Sequence, residues 1–90
     1  MAEVREEVVI VNRLGMHARP AAALVQTVLQ FQSSVLLQAD GHSVNAKSIM
    51  GLLTLAAAQG SRVTVICNGP DAEAALTAVR QLVADGFGEK

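Results

Sequence analysis

The sequence predicts an α+β fold in the order βαββαβα: an open-faced two-layer sandwich whose three helices cover one face of a four-stranded antiparallel sheet. Three observations lead there. Short β-branched runs of period two alternate with longer stretches whose apolar residues recur every three or four positions. An Asp40-Gly41 pair between two of the short runs marks a tight hairpin, which requires antiparallel neighbours. Ninety residues, 51% of them hydrophobic, fit one small domain spanning 1–90 and leave no room for a second.

The first strand is Glu7-Val8-Val9-Ile10-Val11, with Val8 and Ile10 on one face and Asn12 at its end. A helix follows from Ala18 to about Phe31, with Ala21, Leu24, Val25, Val28 and Phe31 as its apolar stripe and Gln26, Thr27 and Gln30 on the wet side. Pro20 falls in the first turn, where a missing N–H costs little. Ser34 to Ala39 forms the second strand, and His42 to Ala46 returns beside it. The second helix opens at Lys47-Ser48 with Ser48 as its N-cap and Gly60 as its stop. Gly51 inside it weakens it by about 1 kcal/mol relative to alanine. Arg62 to Asn68 is the fourth strand, with Val63, Val65 and Cys67 facing inward, and Asn68-Gly69-Pro70 turns the chain. In the third helix Asp71 and Glu73 complement the positive end, Ala75, Leu76, Val79, Leu82 and Val83 form the buried stripe, and Asp85-Gly86 stops it.

Composition removes several classes of function. Acids and bases nearly balance, with a net charge of −1 and no basic stripe, so nucleic acid is not expected as a partner. Trp and Tyr are absent and Phe occurs twice, which leaves no stacking platform for bases. One cysteine, Cys67, makes neither a disulfide nor a metal cluster and reads as a small core hydrophobe, so neither metal nor cofactor is expected. The N-terminal residues lack the order of a signal peptide and no apolar run reaches the roughly 18 residues of a membrane span. A cytoplasmic protein without membrane insertion is expected.

The stretch Gly15-Met16-His17-Ala18-Arg19-Pro20 holds the candidate chemistry. A histidine just ahead of a helix faces backbone N–H groups without intrahelical acceptors, which suit an anion carried on its ring. The positive helix end favours a neutral, nucleophilic imidazole, and the amides of Ala18 and Arg19, with the Arg19 guanidinium, would receive the phosphate oxygens. The same histidine also reads as a plain helix cap with Arg19 as a solvated charge, and the local motif does not separate the two. Gly15 fits either a close backbone or phosphate approach or a turn of positive φ. Ser48 reads equally as a cap and as a phosphorylation switch that would place nearly two negative charges on an apolar surface. Helix two carries more apolar residues than one stripe can hide: with Leu52, Leu55 and Ala56 on the sheet, Ile49, Met50 and Leu53 fall outward as a docking patch or under neighbouring elements. His42 reads as an exposed turn residue.

Leu14-Gly15-Met16-His17-Ala18-Arg19-Pro20-Ala21, Ala46-Lys47-Ser48-Ile49-Met50-Gly51-Leu52, and the order of elements resemble the HPr family of histidine-containing phosphocarriers in the bacterial phosphoenolpyruvate-dependent phosphotransferase system. The resemblance covers nearly the whole chain. It implies a stoichiometric carrier rather than an enzyme, with His17 as the acceptor, phosphorylated on Nδ1 by enzyme I and passing the group to an EIIA-type protein. It implies that Arg19 stabilises the phosphohistidine, that Ser48 is the site of an HPr kinase/phosphorylase, and that Ile49, Met50 and Leu53 belong to the partner surface. It also implies the open-faced sandwich and is consistent with a monomer. Asn12-Arg13-Leu14-Gly15-Met16-His17 and Asp85-Gly86-Phe87-Gly88 resemble the nitrogen-related paralogue NPr, whereas the serine segment resembles the regulated sugar-system branch. The alternative function is a regulatory module, either of a nitrogen-type system or as a serine-phosphorylation-dependent partner of a transcriptional regulator. His17 sets the chain apart from the catabolite-repression paralogue, which lacks the acceptor.

Overall fold

The structure, a computed structural model, describes residues 2–55 and 57–89. Its elements are β1 (Ala2–Val9), α1 (Ala18–Val28), β2 (Ser34–Ala39), β3 (His42–Asn45), α2 (Ile49–Leu55), β4 (Arg62–Gly69), α3 (Ala72–Ala84) and a closing 3-10 turn, Gly86–Gly88. The strands form one antiparallel sheet ordered β1-β4-β2-β3. β1 and β2 therefore run parallel to each other on either side of β4, and α1 makes the crossover between them. Helix α3 packs on β1 and β4, α2 on β3, and α1 against both other helices, which leaves the opposite face of the sheet open. This is the α+β sandwich that the sequence pattern calls for.

Alternation fixes which side of each strand enters the core. Val35 and Leu37 of β2 and Val63, Val65 and Cys67 of β4 are buried, while their neighbours are exposed or half-buried. They meet Ala21, Leu24 and Val28 of α1, Leu52 of α2, and Ala75, Val79 and Val83 of α3. The β2–β3 hairpin turns on Asp40 (φ 51°) and Gly41 (φ 79°), the paired positive angles that match the twist of the flanking strands.

Several boundaries differ from the sequence pattern for identifiable reasons. β1 begins five residues before Glu7 and ends at Val9, because β4 offers a pairing register from Ala2↔Gly69 to Val9↔Arg62 that polar residues can occupy. Glu3 and Arg5 face solvent there as an ion pair of 2.7 Å, and Glu6 reaches Arg80 of α3 at 3.0 Å. Helix α1 stops at Val28: Gln30 and Phe31 donate to the carbonyls three residues earlier, which tightens the chain into a turn. Gly60 does not close α2. It lies in a later turn at φ 88°, and its N–H donates to Ile10 O at 2.7 Å, tying that turn to the end of the first strand region. The expected packing of Ala56 lies outside the described residues.

Candidate functional site

His17 is the N-cap residue of α1, with extended backbone angles (φ −121°, ψ −168°) and no capping hydrogen bond from its side chain. Its carbonyl accepts the first helical bond, from Ala21 N–H at 3.0 Å. Pro20 has no N–H to offer, and the N–H groups of Ala18 and Arg19 have no acceptor among the described residues. Two outward backbone donors and the positive helix end therefore remain beside a half-buried imidazole.

The loop that delivers His17 is fixed from behind. Gly15 has φ 67°, and an added Cβ would collide with the Ala57 carbonyl oxygen and lie 2.9 Å from Ala58 Cα. Met16 N–H donates to that same Ala57 oxygen at 2.7 Å, and Met16 is buried. The glycine thus serves both a left-handed turn and the approach of another backbone, the segment following α2.

The imidazole has a partner that sequence reasoning missed. His17 Nε2 lies 3.0 Å from Glu89 Oε2 and 3.2 Å from Oε1. An ionised carboxylate only accepts, so Nε2 carries the ring proton in this arrangement and Nδ1 keeps its lone pair in the neutral ring. Nδ1 makes no hydrogen bond among the described residues. Glu89 reaches this place because the chain folds back after α3: Gly86 takes φ 64°, Phe87 takes φ 58°, and the Phe87 side chain is buried. Gly88 N–H donates to Asp85 O, and Glu89 N–H to Gly86 O. The available signal was Phe87 itself, a large apolar side chain after a helix stop, which must find a core to enter.

Behind Glu89 stands Asn12, only 4% exposed. Its Nδ2 donates to Gly15 O at 2.8 Å and to Glu89 Oε1 at 3.0 Å. In front, a cleft of about 420 Å³ is lined by Arg13, Leu14, Arg19, Gly88 and Glu89. Neither arginine forms an ion pair among the described residues, so both guanidinium groups line the cleft without a fixed carboxylate partner.

The remaining candidates lie on α2. Ser48 Oγ accepts Gly51 N–H at 3.2 Å, the work of an N-cap, and its own N–H donates to Asn45 O. Leu52 is fully buried, whereas Met50 (70%), Ile49 and Leu53 are exposed, as is Leu14. His42 is exposed at the start of β3. Cys67 is buried, and that burial, with the nearby Asp71 charge, pushes its thiol up to about 11, so it stays protonated and unreactive at neutral pH. Among the described residues no group of three or more His, Cys, Asp or Glu side chains could hold a metal, and no helix is long and apolar enough to cross a membrane.

An antiparallel βαββαβα sandwich with a histidine at the uncapped start of its first helix defines a class of protein that presents one imidazole beside free backbone donors. Residues 4–85 match the family described as "PTS HPr component phosphorylation site". The chain is 44% identical over 86 residues to phosphocarrier protein HPr of Xylella fastidiosa (strain 9a5c), covering 96% of this chain and 97% of that one. It is 48% identical over 73 residues to the HPr-like protein Crh of Bacillus subtilis (strain 168), covering 81% of this chain and 86% of the relative. The crystal structure of HPr-C-His from Thermoanaerobacter tengcongensis superposes with a TM-score of 0.91 at 43% identity, covering 100% of this chain and 99% of that one. The chain belongs to the HPr family, the phosphocarrier proteins of the phosphotransferase system.

Proposed function

We propose that this protein carries a phosphoryl group on His17, accepting it at Nδ1 from phospho-enzyme I and passing it to an EIIA-type protein. The observation that carries the reading is the state of the imidazole: Nε2 is engaged by Glu89 while Nδ1 is free, at a helix start whose Ala18 and Arg19 amides lack acceptors. In the transfer the Nδ1 lone pair attacks phosphorus and the donor's bond to phosphorus breaks, its electron pair leaving with the donor. The ring keeps its proton on Nε2, facing the Glu89 carboxylate. The phosphate oxygens gain from the Ala18 and Arg19 amides and from the Arg19 guanidinium. Phosphoryl transfer needs chiefly positioning and charge stabilisation, so the partner enzyme supplies the rest and the chain is a carrier consumed and regenerated one group at a time. It works in the cytoplasm as a monomer.

Ile49, Met50 and Leu53, exposed on α2, form the apolar part of the surface that meets those partners. Incubation with enzyme I and labelled phosphoenolpyruvate tests the reading. The protein takes up one acid-labile, base-stable phosphate, and His17→Ala takes up none; a wild-type protein that stays unlabelled contradicts it.

A second function at Ser48 rests on its half-buried hydroxyl at the Gly51 amide. Modification by an HPr kinase/phosphorylase puts a dianion beside the exposed apolar residues, which slows acceptance at His17 and creates a surface for a transcriptional regulator. Unchanged transfer kinetics and unchanged regulator affinity after serine phosphorylation would remove this function. The nitrogen-type alternative draws on one contact: Gly86, in the Asp85-to-Gly88 ending, packs close to Asn12, in the loop before His17, and both segments resemble that branch. Transfer to a nitrogen-type EIIA protein faster than to a sugar-specific one would favour it.

A further inference from the structure

Among the described residues, Asn12 is the one buried side chain near the site whose hydrogen bonding is incomplete. Its Oδ1 is buried with no partner, while its Nδ2 serves two acceptors, Gly15 O and Glu89 Oε1. The orientation of the amide is forced: both neighbours on the Nδ2 side are acceptors, so turning the amide over would set oxygen against oxygen twice. A buried amide oxygen left without a donor is destabilising, and a residue chosen for packing alone would be apolar here. What the fold gains is a rigid donor that joins the loop before His17 to the tail after α3.

We propose that Asn12 is a positioning residue for phosphoryl transfer: by holding Glu89 Oε1 it keeps the carboxylate against His17 Nε2, which fixes the imidazole tautomer with Nδ1 as the nucleophile. Oε1 links the two groups, lying 3.0 Å from Asn12 Nδ2 and 3.2 Å from His17 Nε2, with Oε2 3.0 Å from the same ring nitrogen. A carboxylate that orients an imidazole sets which nitrogen can act, and a group that orients the carboxylate acts one step further back. Glu89 gains from such a holder because it follows a short 3-10 turn, Gly86–Gly88, whose residues take left-handed angles, rather than a regular helix or strand. Without Asn12, the Arg13 and Arg19 guanidinium groups in the adjoining cleft compete for the same carboxylate.

The proposal rests on the carrier reading for its consequence but not for its test. Long-range ¹H–¹⁵N spectra of the imidazole, recorded where the ring is neutral, report the tautomer directly without any phosphate. The wild type should show mainly the Nε2–H form. Asn12→Ala should move the ring toward a mixture, and its phosphoryl acceptance from enzyme I should fall about tenfold. Glu89→Gln sharpens the test and changes only the tail. With Asn12 in place, the new side-chain oxygen is held toward Nδ2 and stays within reach of Nε2, so the Nε2–H form persists. With Asn12→Ala added, the amide is free to turn its NH₂ group toward Nε2, and the ring moves toward the Nδ1–H form. The proposal is overturned if Asn12→Ala leaves the tautomer ratio of the folded protein unchanged, or if Glu89→Gln gives the same tautomer ratio with and without Asn12. Should the wild type accept no phosphate while the tautomers behave as stated, the carrier reading fails and the positioning geometry stands.

Discussion

Two carboxylates tie distant parts of the chain to the starts of helices, and they do so in opposite ways. Asp71, the N-cap residue of α3, accepts the Gln32 N–H at 3.0 Å, the Ser33 N–H at 2.9 Å and the Ser33 hydroxyl, while Ser33 Oγ accepts the Asp71 N–H at 3.1 Å. Every group in that cluster has a partner, and the Ser33 hydroxyl, followed by the Gln32 amide, holds the Asp71 carboxyl below the usual carboxylate range. Among the described residues, Glu89 at the start of α1 has behind it a buried amide with an idle oxygen, shares its cleft with two guanidinium groups that form no ion pair, and lies near helical amides without acceptors. The first cluster is complete and fastens the frame. The second leaves donors open, the Ala18 and Arg19 amides and the arginine guanidinium groups, and such donors suit an anion. Hydrogen bonding that closes on itself belongs to stability, and hydrogen bonding left open marks the place for a ligand.

The largest effect should follow from breaking the closed cluster through its backbone. Gly69 has φ 147°, and an added Cβ would lie 2.7 Å from Ser33 Cα. Gly69→Ala should cost about 2–4 kcal/mol in urea unfolding, from strain and from displacing Ser33, while the folded fraction still takes phosphate on His17. A loss of labelling without a loss of stability would reverse the assignment of the two clusters.

Acid should separate them next. Because the Asp71 value is lowered in the folded protein, the unfolded chain takes up its proton first as pH falls. The contribution is present above the unfolded carboxylate value near ~3.9 and is lost as pH falls through the lower folded value. Asp71→Asn should therefore flatten the fall in stability as pH drops below the usual carboxylate value, about 3.9, read from denaturant midpoints. Ser33→Ala should do the same in part, since it removes the hydroxyl that does most to hold the carboxyl low.

A smaller effect is expected where neither cluster is touched. Cys67→Ala empties volume beside the inner face of β4 and should cost about 1–2 kcal/mol. In the native wild type the thiol should stay silent toward thiol reagents at pH 8 and react only on unfolding. The smallest change in stability belongs to Met50→Ala, within about 0.5 kcal/mol because the side chain is 70% exposed. The rate of phosphoryl exchange with enzyme I should nevertheless fall in that variant, and unchanged exchange would remove Met50 from the docking surface.

Much of the frame was legible because period and turn chemistry are local. The Asp40-Gly41 hairpin, the inward faces of β2 and β4, and the stripes of α1 and α3 follow from residues close in sequence. The Ala2-to-Glu6 part of β1 was not legible, since a mostly polar run joins an edge strand only when β4 supplies the register. His17 and Arg19 stood out by their place at a helix start and Ser48 as the N-cap of the next helix, while the resemblance tied all three to one carrier role. Glu89 did not, since its place depends on Phe87 turning back through a left-handed conformation across a span of 72 residues. Asn12 reads in sequence only as the end of a strand, and its meaning appears once the tail lies beside it.

The most direct test of the account is to phosphorylate the protein with enzyme I and phosphoenolpyruvate and to locate the phosphate by ³¹P and ¹H–¹⁵N spectroscopy of the histidine rings. The account predicts a single phosphate on His17 Nδ1 with the proton on Nε2, and His42 unmodified. Phosphate on Nε2 of His17, or on any other side chain, would contradict it.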